Sequence, residues 1–427
     1  MKILETDRDP ASEIRAAMLP PEVGPDPQIE QTVREIIADV KARGDLALLE
    51  LGRKFDSLEL TGLKVTDDEF DVAYRTIEPG LLNAIRVAKS NIEQFHSKQM
   101  QNSWMEMHDD FTYGQVVRPI EKVGFYAPGG LAPYPSTVLM TAVPGIVAGV
   151  GQMVMCAPVQ RDGKIHGPML AAARECGVQD VFKIGGAQAI AAMAFGTGSV
   201  PKVDKIVGPG NAYVTEAKRQ VYGLVGIDQL AGPSEILVLA DDSANPAYVA
   251  ADLLSQAEHA HDSRCALITN SRQLADAVLN EIKRQAESAA RVDCIKSSLD
   301  EFGIVVICHD LGECIDLANA FAPEHLEIAL DDPWDVLGKI KNAGTIMLGH
   351  YTPVPLCDYA AGPNHTLPTS GTARFSSPLG VDDFIKKSGL LAYTKDALKR
   401  IAPTVVELAS CEGFEAHANT VRIRVQD

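Results

Sequence analysis

The segment NPAYVAADLLSQAEHAHD puts Gln256 and His259 three residues apart, so on a helix they share a face and both can reach one metal ion. A Gln oxygen is a weak ligand and a single helical histidine is commonly a surface or core residue, so the pair alone leaves both readings open. Pro323-Glu324-His325 sets a carboxylate beside an imidazole between a helix-like and a strand-like run. Such neighbours can serve as general bases for two different proton transfers, or be an ordinary charged loop. The polar, turn-rich Asp358 to His365, DYAAGPNH, breaks the helix and strand rhythm as site-lining loops do, and as plain turns also do. Glu412 and His417, in CEGFEAHAN, read most simply as a solvated helix end.

Two further turns, Gly185-Gly186-Ala187-Gln188 and Gly208-Pro209-Gly210-Asn211, each place a polar side chain where a strand-like run gives way to a helix-like one. In parallel α/β sheets, ligands bind at such strand ends, where free backbone N–H groups and the helix dipole favour phosphate, so a dinucleotide can lie across the two. No GxGxxG run occurs anywhere, so any NAD site departs from the usual one, and glycines at turns often serve tight geometry alone.

The elements that must carry these groups alternate. Residues 27 to 55 have a helical pattern with Val33, Ile36, Ile37, Val40, Leu48 and Leu51 apolar, and a second amphipathic region runs from Leu81 to about Lys98. From Val116 the runs VGFYAP, QMVMCAPV, DVFKIGG and DKIVGPG are separated by helix-like PMLAAARECG and AQAIAAMAFG. A second series, SEILVLAD, RCALITN, GIVVICHD, LEIAL and GTIMLG, starts at Ser234. The expected fold is α/β: two Rossmann-like parallel-sheet domains without the GxGxxG fingerprint, with small helical terminal segments. The expected borders are 1–23 for an N-terminal arm, 24–125 with 234–380 for the first α/β domain, 126–233 for the second, and 381–427 for a C-terminal segment. In that last segment DDFIKKSGLLAYTKDALKRIAPTVVELASCEGF reads as helical and TVRIRV as a strand, with little core of their own, as in an arm that packs on a partner.

The bulk properties suit an enzyme of about two to four domains: 427 residues, 46% hydrophobic and 22% charged. A formal charge of −18 without any basic run argues against nucleic acid as a partner. The N-terminus is charged from its start and lacks a signal-peptide core, so the expected location is the cytoplasm. Eight scattered cysteines read as mostly buried thiols. The apolar stretch Ser136 to Pro158 is interrupted by Pro144, Gly145, Gly149 and Gly151, and is expected to form a helix and a buried strand rather than a membrane span.

Joined, these segments resemble the histidinol dehydrogenase family over nearly the whole chain, from KARGDLALLELGRKFD to EAHANTVRIRV. The blocks that carry the resemblance are VGFYAPGG, PSTVLM, GGAQAIAAMAFGT, VPKVDKIVGPGNAYVTEAKRQVYG, AGPSEILVLAD, DLLSQAEH, APEHLEI, DYAAGPNHTLPT and GTARFSS. The resemblance implies one zinc ion per subunit, held by Gln256, His259, Asp358 and His417, with His417 supplied by the other subunit of a homodimer with shared active sites. It implies NAD contacts at Tyr126, Gln188 and Asn211, and contacts to L-histidinol at Ser234, Gln256, His259, His325, Asp358, Glu412 and His417. The implied reaction takes L-histidinol through L-histidinal to L-histidine with two NAD, as a step of histidine biosynthesis. In it His325 removes protons from the alcohol and later the hydrate, and Glu324 activates water.

Departures from the family pattern are Val354, where Glu is usual, Cys357, where Gly is usual and which sets a thiol next to a metal ligand, and the additional His261, read as a solvated neighbour. The rival within the superfamily is a dehydrogenase of another polar alcohol such as a sulfonated diol, against which Glu412 and His417 speak. A zinc hydrolase would leave Gln188 and Asn211 without purpose, and a non-catalytic binding protein would have lost Glu324, His325 or a ligand.

Overall fold

A computed structural model of the chain describes residues 1–18, 26–56, 60–129 and 133–426; Gly130 of VGFYAPGG and residues 19–23 of the expected arm lie outside that range. The chain divides into two compact units, residues 1–99 with 121–384, and residues 100–120 with 385–427.

The larger unit contains two wholly parallel sheets. In the five-stranded one the spatial order is Asp180–Lys183, Gln152–Ala157, Lys122–Tyr126, Lys205–Val207 and Gly226–Ile227. In the six-stranded one it is Lys2–Glu5, Gly303–Ile307, Arg264–Thr269, Glu235–Ala240, His325–Ala329 and Thr345–Leu348. Each run of the two expected series therefore forms a strand, and residues placed by sequence in the N-terminal arm supply an edge strand.

These strands are mainly apolar because helices cover both faces, as parallel sheets require. Phe125, Val154, Val181, Ile206, Ile236, Val238, Leu267 and Val305 are completely buried. The stretch Ser136 to Pro158 becomes the helix Pro135–Ala148, closed by Gly149 in a left-handed conformation, and then the strand Gln152–Ala157. Burial on nearly all sides accounts for that helix having no charged residue. Among the described residues, no helix is long and apolar enough to cross a membrane. Seven cysteines are buried and free, and Cys411 is exposed.

The smaller unit corrects two expectations. Ile385–Tyr393, read as helical, is a strand in register with Phe111–Pro119, which also pairs with Trp104–Met107 in an antiparallel sheet. Its partner lies far away in sequence, and the ladder along the whole strand overrides local propensity. Conversely, TVRIRV, with an alternation that suggests a strand, ends the helix Glu415–Val425. That helix packs against Lys395–Cys411 through buried Ala418, and Arg422 binds both Glu415 (2.7 Å) and Ser410 (3.2 Å).

Phe125 sits fully buried in the central strand of the five-stranded sheet. Phe125→Ala should lower stability by about 3–5 kcal/mol, read as a lower denaturant midpoint with the secondary structure retained. A loss under about 1 kcal/mol would show that this strand is not the packed centre of the unit.

Candidate active site

The six-stranded sheet brings its polar groups to its amino edge. His325 opens the strand His325–Ala329 and lies opposite Ile236 of Glu235–Ala240. The Glu235 carbonyl oxygen is 3.0 Å from His325 Nδ1. A carbonyl can only accept, so Nδ1 carries the hydrogen, and Nε2 faces Asp358 Oδ1 at 3.3 Å. The Glu235 N–H donates to Glu324 Oε2 at 2.7 Å. Backbone atoms of one residue thus orient both Glu324 and His325.

Asp358 comes from the short helix Val354–Tyr359. Val354 is buried in the core with Ile236 and Leu253. The Cys357 thiol donates to Thr345 Oγ1 at 3.7 Å, and burial pushes it up to about 12, so it stays a protonated core group. The two departures from the family pattern are therefore apolar packing, and the thiol is engaged by Thr345.

Gln256 and His259 are delivered by the helix Pro246–Ala257, started by the Asn245 side chain accepting from Ala247 N at 2.9 Å, and by the residues just beyond its end. His259 Nδ1 donates to Ser255 O at 3.0 Å, which leaves Nε2 as the nitrogen with a lone pair to offer. Gln256 is 1% exposed, and both its amide oxygen and its amide nitrogen are buried without a hydrogen-bond partner. Buried polar atoms are normally satisfied, so an orphaned amide one helical turn from an oriented imidazole fits a cation ligand. Among the described residues no group of three or more His, Cys, Asp or Glu side chains could hold a metal by itself. This set relies instead on an amide with His259 and Asp358, one donor short of a tetrahedral site.

A cleft of about 240 Å³ is lined by Ser234, His259, Glu324, His325 and Asp358 together with Pro128, Pro209 and Gly210. It also contains a residue to which sequence reasoning gave no role, His365. Its Nδ1 donates to the Asp358 carbonyl at 2.8 Å, and its Nε2 accepts from the Thr137 hydroxyl at 3.0 Å. The signal available was the placement of His365 in the turn-rich segment that begins at Asp358. His261 is exposed.

Electrostatics mark the same groups. Burial raises Glu324 to about 8, opposed by the His325 charge. Burial pulls His325 down, but the Glu324 and Asp358 carboxylates outweigh it and hold the imidazole at about 9. Burial would raise Asp358, yet His325 by hydrogen bond and charge, then His365 and His259, keep it below the usual carboxylate range. A buried imidazole with one fixed N–H and its other nitrogen in a cleft can take and return a proton, and the neighbouring carboxyl can do so for a second partner.

Tyr126, Gln188 and Asn211 gather at the carboxyl edge of the five-stranded sheet, on either side of the point where its strand order reverses. The Tyr126 hydroxyl accepts from Gly186 N at 3.1 Å, Gln188 is buried in the first turn of Gly186–Phe195, and Asn211 Oδ1 caps Ala212–Val221 by accepting from Tyr213 N and Val214 N. None of the three lines the cleft; Pro209 and Gly210, from the Asn211 turn, do. Two adjacent helix N-termini make a suitable anion cradle. In the other unit, Glu412 follows the helix Lys395–Cys411, and His417 is exposed on Glu415–Val425, its ring 5.3 Å from that of Phe414.

The chain matches the family described as Histidinol dehydrogenase over residues 22–425. It is 50% identical to a histidinol dehydrogenase of Clostridium acetobutylicum, across 93% of this chain and 92% of that one. The same identity holds with one of Geobacter metallireducens over 93% and 92% of the two chains. A crystal structure of histidinol dehydrogenase from Elizabethkingia anophelis superposes with a TM-score of 0.95 at 38% identity, covering 100% of this chain and 98% of that chain.

Buried Asp252, one turn before Gln256, hydrogen-bonds to buried Glu327, on the strand begun by His325. Burial raises both carboxyls, Asp252 to about 6 and Glu327 to about 9, the latter pushed further by the Asp252 charge. With folded values above unfolded ones, the folded chain binds more protons between about pH 4 and 9, so stability falls as pH rises through that window. Glu327→Gln should remove that contribution, and its melting temperature should fall less than the wild-type one between pH 6 and pH 9. Parallel curves would show that the pair does not hold a proton on folding.

Proposed function

Since the chain belongs to the histidinol dehydrogenase family, we propose that it oxidises L-histidinol through L-histidinal to L-histidine in the cytoplasm, passing one hydride to each of two NAD. The observation that carries this mechanism is the geometry of His325, with Nδ1 committed to a backbone carbonyl and Nε2 facing Asp358, both residues lining the cleft together with Glu324.

In its neutral form, His325 takes the hydroxyl proton on Nε2 as hydride leaves the carbinol carbon, and the aldehyde forms. Glu324, as carboxylate, draws a proton from the water that adds to the aldehyde carbon, while protonated His325 returns its proton to the carbonyl oxygen, giving the hydrate and neutral His325. His325 then removes a hydroxyl proton from the hydrate as the second hydride leaves, and the carboxylate results. With His325 held at about 9 by its neighbouring carboxylates and Glu324 raised to about 8 by burial, the base forms of both groups grow as pH rises from neutrality. Zinc held by Gln256, His259, Asp358 and His417 of the partner subunit would supply an anchor for the imidazole and amino nitrogens of the substrate, so that the reacting carbon stays placed through both oxidations. Ser234 and His259 line the side of the cleft that would receive the substrate, Glu412 with His417 would reach it from the partner subunit, and Tyr126, Gln188 and Asn211 would hold the dinucleotide.

A homodimer with shared sites is supported by the smaller unit, where Met105, Met107, Leu391, Leu408, Phe414 and Ile423 are all exposed. Large exposed apolar side chains of this kind mark surfaces that bind another protein.

Purified zinc-loaded protein should form about two NADH for every L-histidinol consumed, and a chelator should abolish turnover. A stoichiometry of one, or turnover of a sulfonated diol only, would refute the assigned reaction. His325→Ala should lower kcat by roughly 10²–10⁴-fold. Mixing His325→Ala with His417→Ala subunits should restore activity in one site of each mixed dimer, and no recovery despite proven subunit exchange would exclude shared sites.

A further inference from the structure

The Gly208–Asn211 turn is held by a device outside the site residues. Gly208 has φ +108°, and a side chain there would strike the Tyr126 carbonyl, so only glycine fits. Its N–H donates to Asp228 Oδ2 at 2.7 Å, and its carbonyl accepts from Lys218 Nζ at 3.0 Å. Lys218, from the helix that Asn211 caps, and Asp228, just past the edge strand Gly226–Ile227, are themselves joined in an ion pair with side chains 2% and 3% exposed. Both backbone polar atoms of one glycine are therefore gripped by the two halves of a buried ion pair.

Burying two charges is costly, and apolar replacements of such pairs are often neutral or stabilising, so closure of a turn does not by itself call for one. What the pair provides is direction. Gly208 is the point where the strand Lys205–Val207 ends, and the next residues, Pro209 and Gly210, form one wall of the cleft. Asn211 spends Oδ1 on its helix cap, so its Nδ2 group is the part the cap leaves for a ligand. The companion turn is set differently, by one neutral bond from Gly186 N to the Tyr126 hydroxyl.

We propose that Lys218 and Asp228 are positioning residues for dinucleotide binding, clamping Gly208 so that Pro209, Gly210 and Asn211 follow the path the dinucleotide requires. The proposal rests on the assignment of Asn211 as a dinucleotide contact.

The test is the paired variant Lys218→Met with Asp228→Asn, which removes both charges together and leaves neither stranded. In zinc-loaded protein, the KM for NAD should rise about tenfold or more, with kcat at saturating NAD and the KM for L-histidinol within about twofold of wild type. Calorimetric NAD binding should weaken by the same factor, and the Gly208 amide should exchange its hydrogen faster. An unchanged NAD affinity, or a loss shared equally by kcat and both KM values, overturns the proposal. If the paired variant does not fold, Asp228→Asn alone, which keeps an acceptor for Gly208 N, decides by the same split. Absence of NAD binding in the wild type would instead refute the assignment of Asn211, a result separable from the other two.

Discussion

The backbone of Glu235 is the constraint on which the geometry of the candidate site depends. Its N–H fixes a Glu324 carboxylate oxygen and its carbonyl fixes His325 Nδ1, and both contacts follow from the parallel pairing of Glu235–Ala240 with His325–Ala329. Shifting that register by one residue would turn His325 to the other face of the sheet. The site is thus as rigid as the centre of the six-stranded sheet, where Leu237, Val238, Leu326 and Ile328 are fully buried. Rigidity of this kind suits a base that acts on more than one proton, because the imidazole need not be reoriented between transfers.

The two sheets contribute opposite edges. The five-stranded sheet offers its carboxyl edge, where helix N-termini favour phosphate, whereas the six-stranded sheet offers its amino edge, where Ser234, Glu324 and His325 lead into their strands. Ligands of open α/β sheets usually lie at carboxyl edges, so the second arrangement needs another source of binding energy. Side chains provide it. His259, His325 and His365 each donate from Nδ1 to a backbone carbonyl, which fixes one tautomer; Nε2 of His259 is left with its lone pair, that of His325 faces Asp358, and that of His365 accepts from Thr137. Gln256, buried with an unsatisfied amide, is a local cost that a bound cation would offset.

Much of this order is legible in the residues. Runs such as SEILVLAD and RCALITN have unbroken apolar centres because both sheet faces are covered, and the Gly-containing turns that follow the five-stranded sheet's runs mark its carboxyl edge. The failures fall where a distant partner decides. Ile385–Tyr393 extends because Phe111–Pro119 is available to it, and the alternating end of Glu415–Val425 coils because another helix covers Ala418. In the site, Glu324 and His325 were visible as a pair, but only the family resemblance joined them to Asp358 and His259, since the contacts between them cross several elements. His365 escaped because its hydrogen bonds to Thr137 and to the Asp358 backbone exist only once the loop has folded.

The proposed chemistry gives these features a common rationale. An aldehyde formed midway must wait for a second dinucleotide, so the enzyme must hold it by atoms other than the reacting carbon while one cofactor leaves and another arrives. Fixed groups at the amino edge of one sheet can retain the substrate while turns at the carboxyl edge of the other exchange the dinucleotide, because the two sets of contacts belong to different sheets. A separate unit bearing Glu412 and His417, with apolar side chains exposed in this chain, would add the remaining contacts only on assembly. Coupling the last ligand to dimer formation would then make a complete substrate anchor a property of the assembled enzyme, so that an isolated subunit would lack the means to start an oxidation that it could not finish.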